Sequence, residues 1–192
     1  MTAYSRREFI IGGSSLALVG AAPGAMANAF PASTHATLAN LLLQFPYISD
    51  GQGPPLYMLT NANCVNCQAF HKEFPRGVAG TEMRYMVTPW AQDPVGVLNR
   101  LYRERTFAAF SAYVRRALTA PHTRAASPHL VTAGRNGSAL QRITQENFEL
   151  TGTPLFFYPV SRPTREIYVF LGWGPRIRAD FLEMQRKLKP TA

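Results

Sequence analysis

The chain has only two cysteines, Cys64 and Cys67, and they stand three positions apart. They fall where a short apolar run, Leu56 to Thr60, gives way to a helical pattern from Val65 to Phe74. This placement calls for a strand that turns through the polar Asn61-Ala62-Asn63 corner directly into a helix. The first thiol would then meet the unpaired N–H groups and the positive end of the helix dipole, which favour a thiolate. Three chemistries use such a pair: reversible disulfide exchange, half of a zinc site, or a structural disulfide. Zinc needs two further ligands. The four histidines, His35, His71, His122 and His129, are scattered, and the closest two are wider apart than the usual ligand spacing. A disulfide across so short a loop removes little chain entropy and is a weak staple. Thiol–disulfide exchange is therefore the leading expectation, with no metal and no cofactor.

The first 27 residues read as a segment apart. Ser5-Arg6-Arg7-Glu8-Phe9-Ile10 precedes an apolar stretch diluted by Gly12, Gly13, Ser14 and Ser15, and Ala25-Met26-Ala27 follows. A charged start, a short apolar middle and an A-x-A end form the layout of a cleaved secretory signal. The paired arginines followed by Phe9 resemble a twin-arginine export signal, with Ile11 where Lys is usual. The resemblance implies an exported, periplasmic protein. An ordinary secretory signal and an uncleaved anchor are the alternatives, although the apolar run is short for a membrane span. In an oxidising compartment a disulfide persists, so the structural reading of Cys64 and Cys67 stays open there.

Without residues 1–27, about 165 of the 192 residues remain, enough for one domain with a sizeable core. The sequence is 46% hydrophobic and 16% charged, which excludes a disordered chain. Its net charge is +9; Arg6, Arg7 and Glu8 account for +1, leaving +8 beyond the signal. That balance favours acidic partners. The basic residues Arg100, Arg103, Arg105, Arg115 and Arg116, and later Arg176, Arg178, Arg186, Lys187 and Lys189, fall on helical segments without a nucleic-acid motif. Solvated helix faces, or a docking surface for an acidic protein, account for them, and no nucleic acid is expected.

Residues 28–54 read as a leader, with a helix through Leu38, Leu41, Leu42 and Phe45 and a turn-rich linker at 50–55. The domain follows over 55–192. Strands are expected at Leu56 to Thr60 and Glu82 to Thr88, with the cysteine-bearing helix between them. A helical insert at about 91–120 opens with Asp93 as N-cap and Pro94 in the first turn. Residues 120–137 read as a loop and Leu140 to Leu150 as a further helix. Strands at Leu155 to Val160 and Glu166 to Leu171 precede a final helix from Pro175 to Leu188.

The order is β–α–β, a helical insert, then α–β–β–α. A CxxC at the first βα corner of such a chain points to an α/β thioredoxin-like fold. Thr60 to Lys72 resembles the active-site segment of thioredoxin-fold proteins, and Thr151-Gly152-Thr153-Pro154 resembles their cis-proline loop. The helical insertion between the β–α–β and β–β–α halves, with Thr before the proline, is most similar to the catalytic domains of the periplasmic disulfide isomerase/oxidoreductase group, DsbC and DsbG. The resemblance implies a Cys64–Cys67 redox disulfide, with Cys64 as the exposed nucleophile and Cys67 as the resolving thiol. It also implies that Thr153 and a cis Pro154 face the sulfurs and bind substrate. The partners implied are protein substrates with cysteines and an envelope redox partner.

Two departures matter. Only about 27 residues lie between the signal and the first strand of the fold, too few for the dimerisation module of that group. A monomeric oxidase or reductase is therefore expected. The Leu56 to Thr60 strand also carries no acid that could accept a proton beneath the cysteines. His71 shares a helical face with Cys67 and is a candidate for proton transfer or for packing. The competing function is a non-catalytic thioredoxin-fold accessory or binding protein of the cell envelope, whose CxxC is a structural disulfide.

Overall fold

The computed structural model describes residues 28–159 and 166–188. The signal at 1–27, the turn at 160–165 and Lys189 lie outside the described residues. Six strands form one sheet: β1 (Asn28–Ala29), β2 (Ile48–Asp50), β3 (Pro55–Thr60), β4 (Glu82–Val87), β5 (Leu155–Pro159) and β6 (Ile167–Leu171). Their spatial order is β1-β6-β5-β3-β4-β2, with β3 and β4 parallel and every other pair antiparallel. Among the described residues the helices are α1 (Ala32–Gln44), α2 (Val65–Glu73), α3 (Val95–Glu104), α4 (Phe107–Val114), α5 (Pro128–Phe148) and α6 (Pro175–Leu188). None is long and apolar enough to cross a membrane. The element order matches the expected β–α–β half, helical insertion and β–β–α half.

The central strands read as unbroken apolar runs because both faces of the sheet are covered. Leu56, Met58 and Leu59 are fully buried, and full burial of such a side chain contributes about 1.5–3 kcal/mol. Alternation along β5 sends neighbouring rings to opposite faces. Phe156 meets Phe70 of α2 and Phe181 of α6, while Phe157 stacks with Phe30 on the other side, where Phe30 meets Phe148 of α5. Tyr85 of β4 stacks on Phe110 of α4 with ring centroids 4.2 Å apart. That contact ties the helical insertion to the sheet beside α2.

Three boundaries differ from the sequence reading. Residues 28–54 are built into the sheet: β1 pairs with β6, β2 pairs with β4, and α1 packs on α5. Two- and three-residue strands carry too little alternation to stand out in a sequence. The expected loop at 120–137 is largely helical, since α5 runs from Pro128, with Ser127 as its N-cap and the Ser127 hydroxyl accepting from Leu130 N–H. Gly134, Asn136, Gly137 and Ser138 depress helix propensity, but tertiary packing overrides it. A Cβ at Gly137 would lie 2.8 Å from Thr88 Oγ1, so the glycine lets α5 press against the end of β4. Finally, α3 starts at Val95 with Pro94 as the N-cap residue. Asp93 is not the cap, and its carboxylate points elsewhere.

Candidate active site

The strand-to-helix corner is held by a hydrogen-bond lattice built from its own polar residues. Asn61 is buried; its amide donates to Thr88 O (2.8 Å) and to Asp93 Oδ2 (2.6 Å), and its Oδ1 accepts from Asn63 N–H (2.7 Å). Asn63 Nδ2 donates to Asp93 Oδ1 (2.7 Å), and the other carboxylate oxygen also accepts from Trp90 N–H (2.6 Å). Ala62 N–H donates to the Tyr113 hydroxyl (3.2 Å), and Gln68 Nε2 donates to Ala62 O (2.6 Å). The helical insertion therefore grips the corner from outside the CxxC segment, through Asp93 before α3 and Tyr113 of α4. Asp93, 8% exposed, is a buried acid that the sequence reading assigned to a helix cap. Its nearest sequence signal, Asp-Pro, is equally typical of a helix start, so only the fold reveals its direction.

Cys64 is the N-cap of α2, with extended backbone, and its sulfur accepts from Cys67 N–H at 3.2 Å. Both cysteines are free thiols. Cys67 is fully buried, and Cys64 is 6% exposed, less open than the sequence reading supposes. The Thr153–Pro154 peptide bond is cis, and Thr153 O accepts from Cys64 Sγ at 3.1 Å. Cys64, Cys67, Thr153 and Pro154 are thus brought to one place, across 89 residues of sequence between Cys64 and Thr153.

The two thiols are driven apart electrostatically. Hydrogen bonding from the Cys67 thiol lowers Cys64 most; burial opposes it, and Thr153 with the backbone N–H groups of Cys67 and Asn66 lowers it further, to about 6. Burial pushes Cys67 well above the ordinary thiol range, and the neighbouring Cys64 pushes it further. An acidic outer thiol beside a strongly protonated inner one can form a nucleophile and a reserve thiol. Burial, with the Asp93 carboxylate next, also keeps the Tyr113 phenol protonated.

His71 is enclosed rather than poised at the sulfurs. Its ring meets Phe70, Tyr85 and Phe110 at 5.5, 5.4 and 5.1 Å, and its Nε2 lies 3.4 Å from Thr60 Oγ1. Burial lowers its pKa to about 4. On the opposite flank, Val65 is 76% exposed between the cysteines. Beside it, Asn66, Trp173, Pro175 and Ile177 line an open cavity of about 420 Å³.

No family model matches the chain, and no curated protein sequence does. Solved structures do match. The thiol-disulfide exchange protein alpha-DsbA2 from Wolbachia pipientis is similar with a TM-score of 0.54 at 10% identity, over 81% of this chain and 94% of that one. The disulfide interchange protein from Neisseria gonorrhoeae is 17% identical over 75% of this chain and 96% of its own, with a TM-score of 0.47. The catalytic domain of Proteus mirabilis ScsC is 11% identical over 80% and 97%, with a TM-score of 0.48. The chain has an α/β thioredoxin-like fold, with the CxxC pair at the N-terminus of its first sheet-packed helix after β3.

Proposed function

We propose that the protein is a thiol–disulfide oxidoreductase acting on protein disulfides, with Cys64 as nucleophile and Cys67 as resolving thiol. The observation that carries this reading is the placement of Cys64 Sγ as the N-cap of α2, 3.2 Å from Cys67 N and 3.1 Å from Thr153 O, with the two thiols perturbed in opposite directions within one helical turn. In the reducing direction the Cys64 thiolate attacks one sulfur of a substrate disulfide. A Cys64–substrate disulfide forms and the other substrate sulfur leaves as a thiolate. That leaving thiolate is a stronger base than Cys64, since an ordinary thiol has a pKa of about 8.5. It takes up the proton that Cys67 loses. Cys67 then attacks Cys64 Sγ, forming the Cys64–Cys67 disulfide and releasing the second substrate thiolate, so that two electrons have passed to the substrate. Run backwards, the same steps oxidise a substrate dithiol. The Thr153 backbone and Pro154 flank the reacting sulfur and would hold an extended substrate strand.

The motifs at 5–10 and 25–27 support export to the periplasm with a cleaved signal. The likeness to the DsbC and DsbG catalytic domains rests on the Thr-Pro pair and the insertion. The function most distinct from this one is an envelope accessory protein with a structural disulfide. Insulin reduction and oxidation of reduced ribonuclease, measured on the wild type and on Cys64→Ser, separate the two. Activity in one assay that disappears in Cys64→Ser, with mixed disulfides accumulating in Cys67→Ser, is the expected result. Absence of both activities, with a potential typical of structural disulfides, would overturn it.

A further inference from the structure

α2 and α4 enclose a half-open cavity of about 640 Å³ on the face of α2 that carries Gln68, His71 and Lys72. This is well within the range of about 300–1,000 Å³ typical of ligand sites. Phe107, Phe110 and Val114 form an apolar strip of its wall, beside Gln68, His71 and Ser111. Its mouth is cationic: Lys72, Arg115 and Arg116 line it, all three exposed. Among the described residues no carboxylate lines the cavity. Arg84, Arg100 and Arg178 each pair with a glutamate, whereas these three have no ion pair among the described residues. Arg76 lies 5.5 Å from the Phe107 ring centroid and adds a fourth positive charge nearby.

The simplest account of Arg115 and Arg116 is that they end α4, where cations suit the helix dipole. Arg116 is held at φ 58, a left-handed helix ending of the kind Arg105 and Glu149 also adopt after α3 and α5. Lys72, in the last turn of α2, is likewise at a helix C-terminus; what the dipole leaves unexplained is that the two helix ends converge on one cavity. Like charges converging on a partly apolar hollow create a positive potential focused by its low-dielectric walls.

We infer that this cavity docks an extended acidic segment of a protein partner, which places one large apolar side chain against Phe107, Phe110 and Val114 and flanking carboxylates against Lys72, Arg115 and Arg116. A concave apolar strip suits a side chain, and cations at the mouth suit the carboxylates beside it. The cavity begins one turn beyond Cys67. Cys64 and His71 are separated by about 10 Å along α2 at 1.5 Å per residue. An extended chain covers that in about three residues. A segment seated here therefore reaches the sulfurs, and its relevance to exchange rests on the oxidoreductase reading. Binding itself does not.

The test uses the full chain with Cys64→Ser and Cys67→Ser, so that it is independent of redox activity. The probe is fluorescein-labelled Glu-Asp-Leu-Phe-Asp-Glu, followed by anisotropy. Saturable binding is expected, weakened roughly tenfold or more by raising salt from about 0.05 to 0.3 M. Replacing the probe's Phe with Ala, or introducing Lys72→Glu with Arg115→Glu, should each weaken it by about tenfold or more. Arg116→Gly should weaken it while leaving the thermal midpoint unchanged or higher, which separates lost binding from lost folding. No saturation, equal binding of a probe with Lys in place of its acids, or indifference to Lys72→Glu with Arg115→Glu overturns the proposal. So does competition-free binding of dodecanoate with no peptide binding, which would assign the cavity to a small amphiphile.

Discussion

Asp93 Oδ2 lies 2.6 Å from Asn61 Nδ2, so a carboxylate at the mouth of the helical insertion holds the corner that leads into Cys64. The same carboxylate accepts from Asn63 and from the Trp90 amide. Asp93→Ala would remove the acceptor of three donors, the buried Asn61 Nδ2 and the part-buried Asn63 Nδ2 and Trp90 N–H. We predict a loss of roughly 2–4 kcal/mol in urea unfolding, from the desolvation of unpaired donors. Asp93→Asn retains the shape and should lose less. Equal stability of wild type and Asp93→Ala would show that the lattice does not hold the corner.

The Cys64 thiol should titrate at about 6. Its pKa is depressed in the folded reduced protein, so the stability it adds to that form is complete above the ordinary thiol value. This stability is lost as pH falls through about 6. Iodoacetamide alkylation of the reduced protein should therefore be half-maximal near pH 6 and level by about pH 8. Cys67, pushed up by burial, should remain unalkylated across that range. A midpoint near the ordinary thiol value of about 8.5 would contradict the assignment.

His71 gives a dependence of the same sign, in a lower pH window. It is buried as the neutral ring, with its pKa lowered to about 4, so acid favours the unfolded chain. Stability should fall as pH drops from about 6.5 towards 4. The full loss is about 3 kcal/mol at roughly 1.4 kcal/mol per pH unit. His71→Leu should flatten this part of the profile. An unchanged acid limb would place the titrating group elsewhere.

Gly137 and Gly134 lie one turn apart in α5 and should respond oppositely to alanine. Helix propensity alone favours Ala over Gly by up to about 1 kcal/mol at both. At Gly134 the new methyl would sit 3.5 Å from Pro89 Cγ, an ordinary contact, so Gly134→Ala should be neutral or stabilising. At Gly137 it would sit 2.8 Å from Thr88 Oγ1, so Gly137→Ala should cost about 1–3 kcal/mol. Thermal unfolding of the two variants side by side checks this.

Much of the fold was legible because its signals are local. An apolar run, a polar corner and a helical stripe set the bounds of β3 and α2 to within a residue. The last helix was read from Pro175 to Leu188, as found. The short strands β1 and β2 were not legible, because pairing with distant partners defines them. The first half of α5 was hidden by Gly134 and Gly137, of which Gly137 serves contact with the end of β4. At the site, the cysteines and the Thr153-Pro154 pair carry motifs. Asp93 and Tyr113 carry none, since their roles arise only once the insertion folds back over residues 61–63.

The two outer strands have a consequence for assembly of the molecule. Asn28 pairs with Val169, so a segment made early waits for one made late. One rim of the sheet stays open until nearly the whole chain is present, and such distant pairing is slow to form. Until then β1 has no partner, and β3, paired with β4 alone, offers a border that other chains can join. An incomplete molecule is therefore most exposed to aggregation at Pro55–Thr60, and a partner that shields that border would act before the chain is finished.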